Sequence, residues 1–168
     1  TIIEHPYPHC WRCKTPLILR ATEQWFIKIT ELKNRLFEEN EKVRWVPEWA
    51  GSRRFRDWLL GARDWVISRQ RYWGTPLPIW ICGECGRRTV VGSMEELKTK
   101  ATNLTGDIEL HRQDVDPIKL RCECGGEMER VPDIIDVWMD SGAASWASLR
   151  YPKEDKEFKR WWPADLII

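Results

Sequence analysis

The sequence predicts a mixed α/β chain with a small metal-held module set into it, on three observations. Apolar runs of strand length alternate with stretches of helical period. All six cysteines fall in three close pairs. Two of those pairs, Cys82-Gly-Glu-Cys85-Gly and Cys122-Glu-Cys124-Gly-Gly, have the form of the two knuckles of one closed tetrahedral zinc site. The third, Cys10-Trp-Arg-Cys13, is left without a partner pair, because a structural zinc takes four ligands.

Residues 1–20, with Pro6, Pro8 and Pro16 around the Cys10/Cys13 turn, read as an irregular lead-in. Trp25–Ile29 has strand character, and Thr30 is placed to cap a helix to about Asn40, with Leu32, Leu36 and Val43 on one face and Glu31 in the first turn. Ser52 opens a second helix, on which Phe55, Trp58, Leu59 and Ala62 follow the i, i+3, i+4, i+7 spacing. Its opposite face carries Arg53, Arg54, Arg56 and Asp57, most simply a solvated face. The two prolines in Gly74–Ile81 suit an extended strand at a sheet edge that leads into Cys82. Ser93-Met-Glu-Glu96 is a capping-box pattern, so a short helix runs to about Lys100. Ile134, Ile135, Val137 and Trp138 read as a buried strand, Ala143–Leu149 as a short helix and Pro152–Arg160 as a charged connector. Asp165–Ile168 starts a further apolar strand, and stopping there suggests an excerpt of a longer protein. Three units follow: residues 1–75 connective and helical, 76–132 a zinc-ribbon insertion, and 133–168 a returning strand–helix–strand.

The ribbon is long for its type, and the Ser93 helix accounts for the excess. Glycines 83, 86, 125 and 126 stand where knuckle turns need them, since backbone N–H groups must point at the thiolates. Four cysteines leave no open position for water, so the metal is structural rather than catalytic. Lys plus Arg total 27 against 26 acidic residues, a net charge of +1 that gives no global pull toward nucleic acid or membrane. With neither a spanning apolar run nor a signal-peptide pattern, a cytoplasmic setting is expected, where thiols stay reduced and paired cysteines favour metal over disulfide. Twelve tryptophans point to core and interface anchoring.

One stretch is too particular to be composition: Asp64-Trp-Val-Ile-Ser-Arg-Gln-Arg-Tyr-Trp-Gly-Thr-Pro-Leu-Pro-Ile-Trp80. With His9–Leu17, Glu23-Gln-Trp-Phe26 and Asp136-Val-Trp-Met-Asp-Ser-Gly142 in the same order, it resembles the class I aminoacyl-tRNA synthetases for isoleucine, valine and leucine. Met139 stands where that family commonly has phenylalanine. Cys-Trp-Arg-Cys-Lys-Thr-Pro-Leu, Trp45-Val-Pro-Glu48, Arg130-Val-Pro-Asp133 and the ending Trp162–Ile168 look most like the isoleucyl branch. Valyl or leucyl specificity is the nearest alternative, and a stand-alone zinc-ribbon nucleic-acid-binding or interaction module the more distant one.

The resemblance implies a partial Rossmann-type catalytic segment lying just after the editing insertion. Trp138 is then a wall of the isoleucine pocket, beside Asp140 and Ser141, with Asp136 another positioning candidate. Arg69, Gln70, Arg71, Tyr72 and Trp73 lie toward the tRNA acceptor end, or form a hydrogen-bonded hinge. Such a pocket separates aliphatic side chains weakly: one methylene is worth about 1–3 kcal/mol, a range for which these synthetases are themselves the usual illustration. Cys10/Cys13 becomes half of a site whose other knuckle precedes the insertion, either empty or improvised with His5 or His9. Partners are tRNA(Ile), isoleucine, ATP with Mg, and the remainder of the synthetase. The His-x-Gly-His and Lys-Met-Ser-Lys-Ser signatures of ATP activation do not occur in these residues, so the chain alone is expected to be inactive.

Overall fold

The computed structural model describes residues 4–164. Three small antiparallel sheets and six α-helices follow one another along the chain. β1 (Phe26–Ile27) pairs with β2 (Trp65–Val66), with Phe26 opposite Val66. Between them lie α1 (Ile29–Glu41) and a π-helical stretch, Ala50–Phe55, that runs straight into α2 (Arg56–Gly61). β3 (Ser68–Arg69) pairs with β8 (Ile134–Ile135) across the whole span of the cysteine module.

The module itself is a four-stranded sheet in the order β5–β4–β7–β6, formed by β4 (Ile79–Cys82), β5 (Arg88–Val90), β6 (Leu120–Arg121) and β7 (Glu127–Arg130). Helices α3 (Met94–Lys100) and α4 (Arg112–Val115) fill the excursion between β5 and β6. The densest core lies here: Trp80, Val91, Leu97, Val115, Ile118, Leu120 and Met128 pack together under the two buried cysteines, Cys82 and Cys122. Trp80 is 2% exposed, and its indole N–H donates to the Ile118 carbonyl at 2.9 Å, so the ring is buried without an orphaned donor.

Chain entry to the module and exit from it run side by side. Leu77 N donates to Asp133 O, Val131 N to Ile79 O and Ile135 N to Thr75 O, with Pro76 bridged to Ile134. Leu77, Ile79 and Val131 bury themselves in this neck against Trp25, Ile67, Ile81 and Ile135. After β8, α5 (Val137–Ala147) and α6 (Lys156–Trp161) complete the described chain.

Several expectations are corrected. Thr30 is inside α1 rather than its cap; its N–H and hydroxyl donate to Asp64 Oδ1 at 3.0 and 2.7 Å, so a carboxylate 34 residues away does the capping. Ser52 likewise lies inside its helix, its hydroxyl donating to Glu48 O, four residues back. β4 is an interior strand, paired on both sides, because Pro76 and Pro78 precede its first ladder bond instead of interrupting it. Only Ile134–Ile135 is strand: Asp136 ends it, and Val137 and Trp138 open α5, which is therefore longer than the helix expected over 143–149. The charged connector contains α6.

Every strand pairing among the described residues is antiparallel. The parallel crossover of a Rossmann-type segment is thus not formed within them. A parallel pair needs a crossover connection, whereas β1 and β8 take their partners from neighbouring antiparallel segments. Of the twelve tryptophans only Trp80 is buried; Trp11, Trp49, Trp58, Trp73, Trp138 and Trp161 are exposed. The chain has too little apolar partner surface of its own to cover them. The expected strand over 165–168 lies outside the described residues.

Candidate metal centre and substrate-facing surface

β4 delivers Cys82 and β6 delivers Cys122 to one end of the module sheet, where the two tight turns that follow bring in Cys85 and Cys124. Gly86 and Gly125 hold φ of +70° and +90°, the left-handed conformation those turns require. Gly83 stays outside that region, so it is not needed for backbone reasons, and Gly126 is needed for space: a Cβ there would sit 2.6 Å from Glu84 Cγ and 3.1 Å from Cys82 Sγ.

The four sulfurs lie within 4.8 Å of one another, with Cys82–Cys124 at 3.5 Å and Cys85–Cys122 at 3.6 Å. A zinc–sulfur bond of about 2.3 Å in a tetrahedron places its sulfurs about 3.8 Å apart. The observed cluster brackets that spacing, and all six cysteines are free thiols. The donor set therefore fits a four-coordinate thiolate metal site. Backbone N–H groups of Cys85 and Glu84 aimed at Cys82 bring its thiol down to about 7. At Cys124 the Gly126 N–H is outweighed by the crowded thiols of Cys122, Cys85 and Cys82, which push it up to about 12.

Cys10 and Cys13 form a separate turn, closed by Lys14 N donating to Cys10 O and Cys10 N to Thr15 O. Cys13 is exposed, and the Thr15 hydroxyl and N–H, with the Cys10 thiol, lower it to about 7. His5 and His9 turn their Nδ1 atoms to the carbonyls of Pro6 and Tyr7. Among the described residues neither joins the pair in a group of three or more ligands.

The residues expected near a substrate fall into two sets. Arg69 is half-buried, and its guanidinium donates to Asp136 Oδ2 at 2.5 Å and to the carbonyls of Val66 and Ser68. Gln70 bridges Gln24 and Asp133. Both side chains bond to other residues of the chain. Tyr72 and Trp73 are exposed, and Trp73 stacks on His111 at 4.9 Å between ring centroids. The Arg71 carbonyl accepts from Arg112 at 2.9 Å.

Trp138 is 71% exposed on the first turn of α5, so the reading of it as a buried strand residue is overturned. Asp140 accepts from the Thr75 hydroxyl at 3.1 Å, and Ser141 donates weakly to the Trp138 carbonyl at 3.4 Å.

Sequence reasoning missed the joint of the module. Arg130 has a fully buried side chain, donates to Asp116 Oδ1 at 2.7 Å through Nε and again through Nη2, and reaches the carbonyls of Leu77 and Asp133 through Nη1. Asp116 also accepts from Arg112. His111, Arg112, Asp116 and Arg130 thereby connect the metal sheet to the Arg71–Trp73 loop. Arg112 and Asp116 are a local i,i+4 pair, but the contacts that make the joint, to Trp73, Arg71, Arg130 and Leu77, each span more than ten residues and leave no local pattern.

The family model for tRNA synthetases class I (I, L, M and V) matches residues 12–168. The chain belongs to that family. Among similar members of these class I synthetases, the isoleucine--tRNA ligase of Methanosarcina acetivorans is 59% identical over 165 residues, which cover 98% of this chain and 16% of that protein. That of Methanopyrus kandleri is 60% identical over 161 residues, 95% of this chain and 15% of its own. The chain therefore spans about a sixth of the length of the curated class I relatives it matches. A crystal structure of the ternary LeuRS–tRNA–LeuAMS complex of Agrobacterium radiobacter K84 aligns at 38% identity over 54% of this chain and 11% of that one. Its TM-score of 0.33 carries no argument about the fold.

Proposed function

We propose that this chain is the part of an isoleucine--tRNA ligase that supplies one wall of the amino-acid pocket and a zinc-held module beside it. The observation that carries the reading is identity of 58–60% along nearly the whole chain with isoleucine--tRNA ligases. In the parent enzyme the isoleucine carboxylate displaces pyrophosphate from ATP to give isoleucyl-adenylate, and the isoleucyl group then passes to tRNA(Ile) with release of AMP, in the cytoplasm.

In that role Trp138 offers an exposed apolar face to the isoleucine side chain, on a helix turn fixed by Asp136 and by the Thr75–Asp140 bond. Cys82, Cys85, Cys122 and Cys124 hold one zinc, which supplies folding free energy to residues 76–132 and leaves no position for a reacting water. Tyr72 and Trp73 present exposed rings beside the Arg71 backbone, a surface suited to stacking on the unpaired end of a tRNA. Arg69 and Gln70 shape that loop from within. ATP and magnesium belong to the rest of the catalytic domain, whose Rossmann-type sheet the described antiparallel ribbons adjoin. Cys10 and Cys13 are a half-site that needs a second knuckle from elsewhere in the parent.

Isoleucine-dependent exchange of pyrophosphate into ATP tests the reading. The full-length gene product performs it, Trp138→Ala in that protein raises KM for isoleucine, and the 168-residue chain alone is silent. A full-length product that exchanges only with valine or leucine refutes the assignment.

A further inference from the structure

The helix that carries Trp138 is not anchored by its own packing. Among the described residues α5 buries no side chain, and both Val137 and Trp138 on its first turn are exposed. Its direction must be set by polar contacts at its start. Beside the exposed Thr75–Asp140 bond, Asp136 supplies the buried ones: it is only 4% exposed, its N–H donates to Ile67 O at 2.8 Å, and its Oδ1 accepts the Trp138 N–H at 3.2 Å. That leaves Oδ2, a charged oxygen in a nearly dry place, and Arg69 meets it at 2.5 Å.

We propose that Arg69 and Asp136 act as a pair of positioning residues that aim Trp138 at the amino-acid substrate. The proposal rests on the reading of Trp138 as a pocket wall. Arg69 is suited to the task because its own backbone is fixed. β3 holds it opposite Ile134 of β8, two residues before Asp136, and Ser68 beside it is buried with its hydroxyl bonded to Gln24 and to Trp25 N. Three of the five N–H groups of Arg69 are engaged, two from Nη1 on Val66 O and Ser68 O and one from Nη2 on Asp136. The planar fork suits a fixed carboxylate, and the 5% exposed Asp136 side chain is the charged partner it meets. One oxygen of Asp136 thus orients the helix and the other orients Asp136. Losing Arg69 would leave a buried carboxylate unpaired and free to turn away from Trp138 N.

The test uses the full-length isoleucine--tRNA ligase that carries this segment, with exchange of pyrophosphate into ATP as the readout. Arg69→Gln and Asp136→Asn each raise KM for isoleucine on the order of tenfold or more, the scale on which a displaced positioning group acts. KM for ATP stays at the wild-type value, the double variant is no worse than either single one, and Arg69→Lys recovers part of the loss. The affinity for tRNA and its dependence on salt stay unchanged. An unchanged KM for isoleucine overturns the proposal, and weaker tRNA binding with a shallower salt slope in its place makes Arg69 a phosphate ligand. If the wild-type protein exchanges with valine or leucine instead, the functional reading fails, and the positioning pair is judged by KM for that amino acid.

Amide hydrogen exchange on the 168-residue chain reads the same geometry without the reaction. The Trp138 amide exchanges more slowly than that of Val137 in the wild type, and Arg69→Lys narrows the difference. Equal rates at the two amides in the wild type contradict the arrangement.

Discussion

Arg130→Met removes the joint between the metal sheet and the neck while keeping most of the side-chain volume. The lost contacts are two bonds to the buried carbonyls of Leu77 and Asp133 and the fork on Asp116. Bonds from a charged donor contribute about 1.5 kcal/mol each at the lower end of their range, so the two carbonyls together account for roughly 3 kcal/mol. Asp116 adds less, because its side chain is 38% exposed and keeps Arg112 as a partner. At about 2–4 °C per kcal/mol for a chain of this size, Tm falls by roughly 6–12 °C. Arg130→Lys keeps the charge without the fork and falls between the two. Urea and thermal unfolding of the zinc-loaded chain measure all three proteins. If Arg130→Met stays within about 1 kcal/mol of wild type, the joint contributes no more than an ordinary surface residue, and the latch argument is wrong.

Metal analysis of the purified chain yields about one zinc per molecule on four-ligand counting. Cys82→Ser abolishes it and Cys10→Ser leaves it in place; two tightly bound zincs in the monomer contradict the half-site assignment. Asp64 accepts the backbone N–H of Thr30 first and its hydroxyl second, and both hold its carboxyl below the ordinary 3.8. Its contribution to stability is therefore complete above that ordinary value and is lost as pH falls through the lower folded one. Asp64→Ala lowers Tm at neutral pH and flattens the acid limb of the stability profile, and an unchanged acid limb argues against the remote cap. Gly51→Ala drives a Cβ to 2.0 Å from Trp45 Cδ1, so the Trp45–Phe55–Trp58 stack must shift and thermal stability falls. Retained wild-type Tm in that variant refutes the close packing.

Local signals identified the elements they govern. The Ser93 cap is made, its hydroxyl accepting the Glu96 N–H at 3.1 Å, and Glu96 answers at Gly92 N instead of Ser93 N. Knuckle spacing likewise named the four cysteines that converge. Where the partner is remote, local rules misassigned the residue: Thr30 has the composition of a cap, but Asp64 provides it. The apolar run Ile134–Trp138 looks uniform, but the carboxylate of Asp136 turns its second half into a helix.

By itself the sequence determined the family, the four cysteines that cluster and the capped helix after Ser93, because those depend on residue type at short spacing. Only the tertiary structure decided the direction of α5, the exposure of Trp138, the pairing of Arg69 with Asp136 and the Arg130 joint. Each of the last two rests on a charged group meeting a partner brought close only when entry and exit strands pair across the module. Charged side chains declare their type in sequence and their partner only in space.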